Sequence, residues 1–182
     1  MTGIAFPRSA APGGSRARKA ASTTIQILLA ISVGLAVIRV CNVAVVAGIS
    51  MEPTLTSGDH VVFSRLARVE RGDLIVFRSP ADGAILVKRV IGVPGDRLLI
   101  SGLDVWLNGH YLYEHYRVLS AWTPEPAGVT VSMKQNQYFV LGDNRALSND
   151  SRAFGPISDH QVLGKVWLHT AGERFSLVSL PI

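Results

Sequence analysis

Hydrophobic and polar positions divide the chain into two unequal parts. From Ala20 to Ile38 no charged residue occurs, and after Arg39 apolar character resumes through Val43 to Ile49. A run of this length suits one transmembrane helix of about 20 residues. Arg39 is placed to snorkel to the outer interface, or a tilted helix continues to about Val46. Past residue 50 the apolar runs shorten. Leu74-Ile75-Val76-Phe77, Ile85 to Val93, Arg97 to Ile100, Tyr138 to Leu141 and Val162 to Leu168 are β-rich and bounded by Gly, Pro, Asp or Asn, as strands are. Asn108-Gly109, between Asp104-Val105-Trp106-Leu107 and His110-Tyr111-Leu112-Tyr113, predicts a two-residue hairpin with a type I′ turn. Leu119 to Val131, with Pro124, Pro126 and Gly128, reads as a loop, and no long helical period follows residue 50. The pattern predicts a mostly β protein: a tail over 1–22, a transmembrane anchor over 23–47, and a small antiparallel β domain over 48–182.

Charge adds an orientation. Residues 1–22 carry Arg8, Arg16, Arg18 and Lys19 and no acid, whereas the other 14 basic and 13 acidic residues nearly cancel. The positive-inside rule keeps such a tail cytoplasmic and places everything after the helix on the extracytoplasmic face. A nearly neutral folded part lacks the basic stripe that nucleic-acid binding requires, so no nucleic-acid partner is expected. Two other readings of the first segment stand beside the anchor. Its basic start, apolar core and Ala44-Val45-Val46-Ala47 resemble the three parts of a cleavable secretory signal. An acid-free, arginine-containing tail also fits an organelle presequence, although Pro7, Pro12, Gly13 and Gly14 oppose an amphipathic helix. Cys41 is the sole cysteine and forms no internal disulfide. His60, His110, His115, His160 and His169 have neither i, i+4 pairing nor the cysteine spacing of a zinc site, so no metal is expected.

The candidate chemistry begins at Gly48-Ile49-Ser50-Met51-Glu52-Pro53-Thr54-Leu55, which puts a hydroxyl a few residues past the apolar run. A serine is a weak nucleophile unless a base lies within hydrogen-bond reach. Lys88 is the candidate base, because its β-branched surroundings, Ile85 to Val93, favour the neutral amine through burial. Lowering a lysine from about 10.4 to about 8 requires about 3.3 kcal/mol. Gly142-Asp143-Asn144-Arg145 continues into Ala146-Leu147-Ser148-Asn149-Asp150-Ser151-Arg152, a dense polar segment after a strand. Such a segment is either a solvated loop or the lining of a site, in which Ser148 orients an amine while Asp150 and Arg152 brace the loop as a bidentate pair. A Ser-His-Asp triad remains open, since triads are recognised in space. So does a non-catalytic, membrane-tethered β domain that binds exported peptides, with Ser50 and Lys88 incidental.

Ser50 to Leu55, Gly58-Asp59 with Arg71-Gly72-Asp73, Lys88 to Gly92 with Pro94-Gly95-Asp96, and Gly142 to Arg145 through Ser148, Asp150, Ser151 and Arg152 resemble, in order, the boxes of type I signal peptidases. The resemblance covers about residues 48 to 168. It implies a membrane-bound serine endopeptidase that cleaves signal peptides from exported preproteins through an acyl-enzyme, with partners limited to preproteins and the lipid bilayer, and with no cofactor. By it Ser50 is the nucleophile, Lys88 the general base, Ser148 the hydroxyl orienting the lysine, Asp150 with Arg152 the bracing pair, and Met51, Leu55 and Val87 substrate-pocket positions. Ala-like residues are implied at substrate positions −1 and −3. Two departures stand out: Gly48 replaces a serine that some members use as an oxyanion donor, and Ala146-Leu147 replaces Asp-Asn. A specialised relative that processes pilin or conjugation proteins is an alternative, and a self-cleaving Ser-Lys repressor is disfavoured by the apolar anchor.

Overall fold

Leu74-Ile75-Val76-Phe77 is apolar at every position because the strand it forms is buried on both faces. Leu74 and Val76 belong to one hydrophobic cluster and Ile75 and Phe77 to another, as alternation along a strand requires. The computed structural model describes residues 23–34, 40–117, 128–171 and 174–177. Residues 23–34 form helix α1. The strands of the main sheet are β1 (Cys41–Val45), β2 (His60–Ser64), β3 (Leu74–Arg78), β4 (Ile85–Gly92), β9 (Gln137–Leu141), β10 (Ile157–Ser158), β11 (Val162–Ala171) and β12 (Arg174–Leu177). Their order is β1-β2-β11-β3-β4-β9-β10, with β12 also on β11. A smaller sheet contains β5 (Arg97–Ser101), β6 (Asp104–Leu107), β7 (His110–Tyr111) and β8 (Val129–Ser132), in the order β7-β6-β5-β8. Pairing is antiparallel in both sheets.

Three apolar clusters hold the unit that starts at Val40. The first joins Met51 and Leu55 to Val61, Phe63, Leu74, Val76 and Val166. The second joins Ile91, Phe139 and Leu141 of the main sheet to Leu98, Ile100 and Val105 of the smaller one. The third covers the opposite face of β3, where Phe77 meets Phe154 at a ring separation of 6.2 Å. Phe154 ends the short helix α2 (Ser151–Phe154).

The strands anticipated from the apolar runs are present, and the Asn108-Gly109 turn has φ of 52° and 88°, both positive as a type I′ turn requires. Three differences are physical. Residues 41–45, placed by sequence in the 23–47 anchor, form β1 and pair with β2 over five positions, Cys41↔Ser64 to Val45↔His60. An uncharged apolar segment reads alike as helix end or strand, and the partner strand decides. Within the expected Leu119–Val131 loop, residues 129–131 belong to β8, which pairs with β5; residues 118–127 lie outside the described residues. Helix α1 has 12 described residues, about 18 Å at 1.5 Å each, against about 30 Å of bilayer hydrocarbon. Among the described residues no helix is long and apolar enough to cross a membrane, and residues 35–39 of the expected span lie outside them.

Gly164 on β11 lets the chain pass close to β2, since a Cβ there would lie 2.7 Å from the carbonyl carbon of Ser64 and 2.8 Å from its oxygen. Backbone cannot yield as a flexible side chain does. Gly164→Ala is expected to destabilise the domain by about 1–3 kcal/mol, read as a lowered midpoint in thermal or urea unfolding. An unchanged midpoint would show that the two strands can separate freely.

Candidate active site

Ser50 lies in the connection between β1 and β2. Val46 N donates to Asp59 O at 2.8 Å and Gly58 N to Val46 O at 2.9 Å, which closes the base of the loop. Gly48 turns the chain at φ +92°, a conformation L side chains rarely adopt. Beyond Ser50 one turn forms, with Leu55 N donating to Met51 O at 3.0 Å. Met51 and Leu55 are driven into the first cluster, which fixes the backbone on which Ser50 stands.

Lys88 lies on β4, opposite Ile75 of β3. It is buried, and its Nζ is 2.7 Å from Ser50 Oγ and 3.0 Å from Val87 O. Burial pushes the Lys88 pKa down to about 8, against the opposing pull of Asp150 and then Asp143. An ammonium donates to Ser50 Oγ across this contact, while a neutral amine accepts the serine proton. The contact can therefore activate the hydroxyl at mildly alkaline pH. Among the described residues, Ser50 Oγ is hydrogen bonded to Lys88 and to no histidine.

Beside this pair is a cavity of about 110 Å³, walled by apolar side chains of the β1 end, β2, β3 and β4, Val87 among them. Of the three residues expected at a substrate pocket, Val87 is therefore at the cavity. Met51 and Leu55 instead pack behind the serine loop, 1% and 0% exposed, because the first cluster offers them a larger apolar contact.

The polar segment after β9 folds around Asp150. Its carboxylate accepts from Gly142 N at 3.0 Å and caps α2 by accepting from Arg152 N at 3.3 Å. It also takes both arms of Arg152, Nε at 2.8 Å and Nη2 at 2.9 Å. Arg152 Nη2 donates further to Arg145 O at 2.5 Å. Asp150 and Arg152 thus stand together as a bidentate brace. Ser148 differs from expectation. Its Oγ is buried with no hydrogen-bond partner among the described residues, while the Lys88 amine is directed to Ser50 and Val87. Ser148 stays close to the serine loop because Gly142 has no side chain. A Cβ on Gly142 would overlap Ser148 Oγ and lie 2.5 Å from Ser50 O.

Sequence reasoning missed a second set of charges. Arg89, beside Lys88, is fully buried and grips Asp143 with Nε at 2.7 Å and Nη2 at 2.5 Å. Thr54 Oγ1 donates to Asp143 Oδ2 at 2.5 Å, and Asn144 N donates to Ser50 O at 3.1 Å. These bonds tie the serine loop, β4 and the polar segment into one body. A cation inside an apolar run and an acid in the turn after a strand were the available signals, but their pairing spans 54 residues. Among the described residues no group of three or more His, Cys, Asp or Glu is arranged to hold a metal ion.

The depressed lysine pKa predicts a stability signature. Below about pH 8 Lys88 is charged in both folded and unfolded states, and the folded state bears the desolvation. Between about 8 and 10.5 the unfolded chain holds more protons, so wild-type stability rises with pH through this window. Lys88→Met removes that burden. It should be more stable than wild type at pH 6–7, by up to about 3 kcal/mol, and the advantage should shrink towards pH 10.5. Urea unfolding at pH 6.5, 8 and 10 measures it, and a pH-independent difference would contradict the burial of the charged amine.

The family model described as "Signal peptidase, peptidase S26" matches residues 18–170. Signal peptidase I V of Bacillus subtilis is 32% identical over 136 residues, covering 66% of this chain and 80% of that protein. Signal peptidase IB of Staphylococcus aureus is 33% identical over 142 residues, covering 66% of this chain and 73% of that one. A crystal structure of a signal peptidase I from Enterococcus faecalis superimposes with a TM-score of 0.48 at 33% identity, over 54% of this chain and 97% of that chain.

Proposed function

Because the chain belongs to the signal peptidase family, peptidase S26, we propose that it is a membrane-anchored serine endopeptidase that removes signal peptides from exported preproteins with a Ser50–Lys88 dyad. The observation that carries this reading is the 2.7 Å contact between Lys88 Nζ and Ser50 Oγ, made by an amine that burial brings to a pKa of about 8.

In this mechanism the preprotein lies extended in the apolar cavity beside Lys88, where β-strand pairing supplies main-chain hydrogen bonds and the small volume favours Ala-like side chains. Neutral Lys88 takes the Ser50 proton as Oγ attacks the carbonyl carbon after the residue at position −1. The Ser50 backbone N–H supports the developing oxyanion. A second donor has to come from somewhere other than position 48, where Gly48 has no hydroxyl. Collapse expels the amine of the mature protein, which receives the proton from Lys88 and leaves an acyl-enzyme. Lys88 next deprotonates a water that releases the signal peptide. Ser148, whose Oγ has no hydrogen-bond partner among the described residues, is assigned to steady the Lys88 amine once Ser50 Oγ is bonded to the substrate. Asp150 and Arg152 hold the segment that carries it. Ile25, Ile27, Leu28, Leu29, Ile31 and Val33 of α1 are all more than half exposed, and an apolar surface around a whole helix suits lipid. The acid-free basic tail assigns residues 1–22 to the cytoplasm and residues beyond the anchor to the outer face.

Two measurements test the reading. With a labelled secretory preprotein, Ser50→Ala and Lys88→Met should each abolish cleavage while leaving the domain folded, and normal cleavage by either would refute the dyad. The wild-type rate should rise with pH through about 8 and level off above it, as deprotonation of Lys88 requires. A rate governed by a group near pH 6.5 and lost on changing one histidine would assign the base elsewhere.

A further inference from the structure

The buried charges behind the serine loop do not end at the Arg89–Asp143 pair. The segment after β7 returns over β4, and the Tyr116 ring centroid lies 3.8 Å from the Arg89 guanidinium carbon. Tyr116 OH donates to Glu114 Oε1 at 2.8 Å, and the same carboxylate oxygen takes Arg145 Nη2. Arg145 in turn donates to Gly142 O at 3.1 Å and Leu103 O at 3.0 Å. Glu114, Tyr116, Arg89, Arg145 and Asp143 are all buried. The segment after β7 therefore reaches the Arg89–Asp143 pair and Arg145 through an aromatic face and a carboxylate.

This arrangement bears on geometry rather than on cohesion alone. Arg89 has a hydrogen-bond partner on every guanidinium nitrogen: Asp143 on Nε and Nη2, Gly72 O on Nη1 at 2.9 Å, with Thr54 Oγ1 also 3.3 Å from Nη2. No hydrogen bond constrains its faces, and Tyr116 covers one of them. A cation held over a ring face is attracted to it most where water is excluded. Tilting of the guanidinium would loosen Asp143, and with it Asn144, whose N–H holds Ser50 O at 3.1 Å.

We propose that Tyr116 is a positioning residue for the Ser50–Lys88 reaction: its ring fixes the Arg89 guanidinium that aligns the Asp143-Asn144 backbone on Ser50. The proposal rests on the Ser50–Lys88 reading. It separates two parts of one residue, the ring acting on Arg89 and the hydroxyl acting only on Glu114.

Tyr116→Phe keeps the ring, so its kcat should stay within about threefold of wild type. Tyr116→Leu removes the ring face, and kcat should fall about 10- to 100-fold at little-changed KM, the loss that misplacement of a reacting group by about 1 Å produces. The Lys88 titration, followed by NMR in a Ser50→Ala background, supplies a readout independent of turnover. Lys88 feels Asp143 and Asp150, partnered by Arg89 and Arg152 respectively. A loosened Arg89 leaves Asp143 less neutralised and admits water, and both effects move the amine from about 8 towards its ordinary 10.5. Tyr116→Leu should therefore titrate at higher pH and Tyr116→Phe should not. A folded Tyr116→Leu with wild-type kcat and an unmoved lysine overturns the proposal, as does a Tyr116→Phe that falls as far as Tyr116→Leu. If Tyr116→Leu does not fold, Tyr116→Met carries the same expectation, and misfolding of both would mark the ring as structural only. Failure of wild type to cleave a preprotein would sink the peptidase reading alone, because the lysine titration still judges Tyr116.

Discussion

An amine whose pKa is brought to about 8 has to be taken out of water, and this constraint on Lys88 organises the side of the molecule where it meets Ser50. Hydrocarbon from β2, β3 and β4 supplies the desolvation, while carboxylates at positions 143 and 150 oppose it by favouring the ammonium. Burial prevails as the larger of the opposing effects, and neither carboxylate stands alone. Asp143 is gripped by Arg89 and Asp150 by Arg152, so each presents a paired charge to the amine rather than a bare one. The arginines thus hold the polar loops in place.

Burying so many ions is unfavourable unless each is matched. Arg89 and Arg145 are among the largest fully buried side chains, and the partners of both are buried too. Pairs of this kind contribute little net stability over an apolar replacement, yet losing one partner typically costs about 3–5 kcal/mol. They are best understood as geometry: each ties together segments distant in sequence, Arg89 of β4 to Asp143 and Arg145 to Glu114. The stability that tolerates them comes from the three apolar clusters, one of which swallows Met51 and Leu55 and so anchors the loop that presents Ser50.

Glycine has a corresponding role in bringing the backbones close. Gly142 leaves space for both Ser50 O and Ser148, and Gly164 lets β11 press against Ser64. A side chain at either place would push apart backbones that now lie in close contact.

Much of this was legible from the chain alone. The strands at Leu74–Phe77, Ile85–Val93 and Val162–Leu168 announced themselves because buried strands are continuous apolar runs, and the Asn108-Gly109 hairpin because only positive φ suits that turn. Ser50, Lys88, Asp150 and Arg152 were visible as polar groups in conspicuous settings. Tertiary structure decided what those groups touch. Strand β1 was hidden in an apolar stretch whose form depends on β2, and only the fold shows the Lys88 amine directed to Ser50 and Val87 while Ser148 Oγ is buried. In the chain from Thr54 through Asp143 and Arg89 to Tyr116 and Glu114, the buried cation and the turn acid were each conspicuous, but nothing local said that they pair. Periodicity and turn chemistry are properties of neighbours in sequence, whereas a hydrogen bond or an ion pair between residues 54 apart exists only once the sheets have packed.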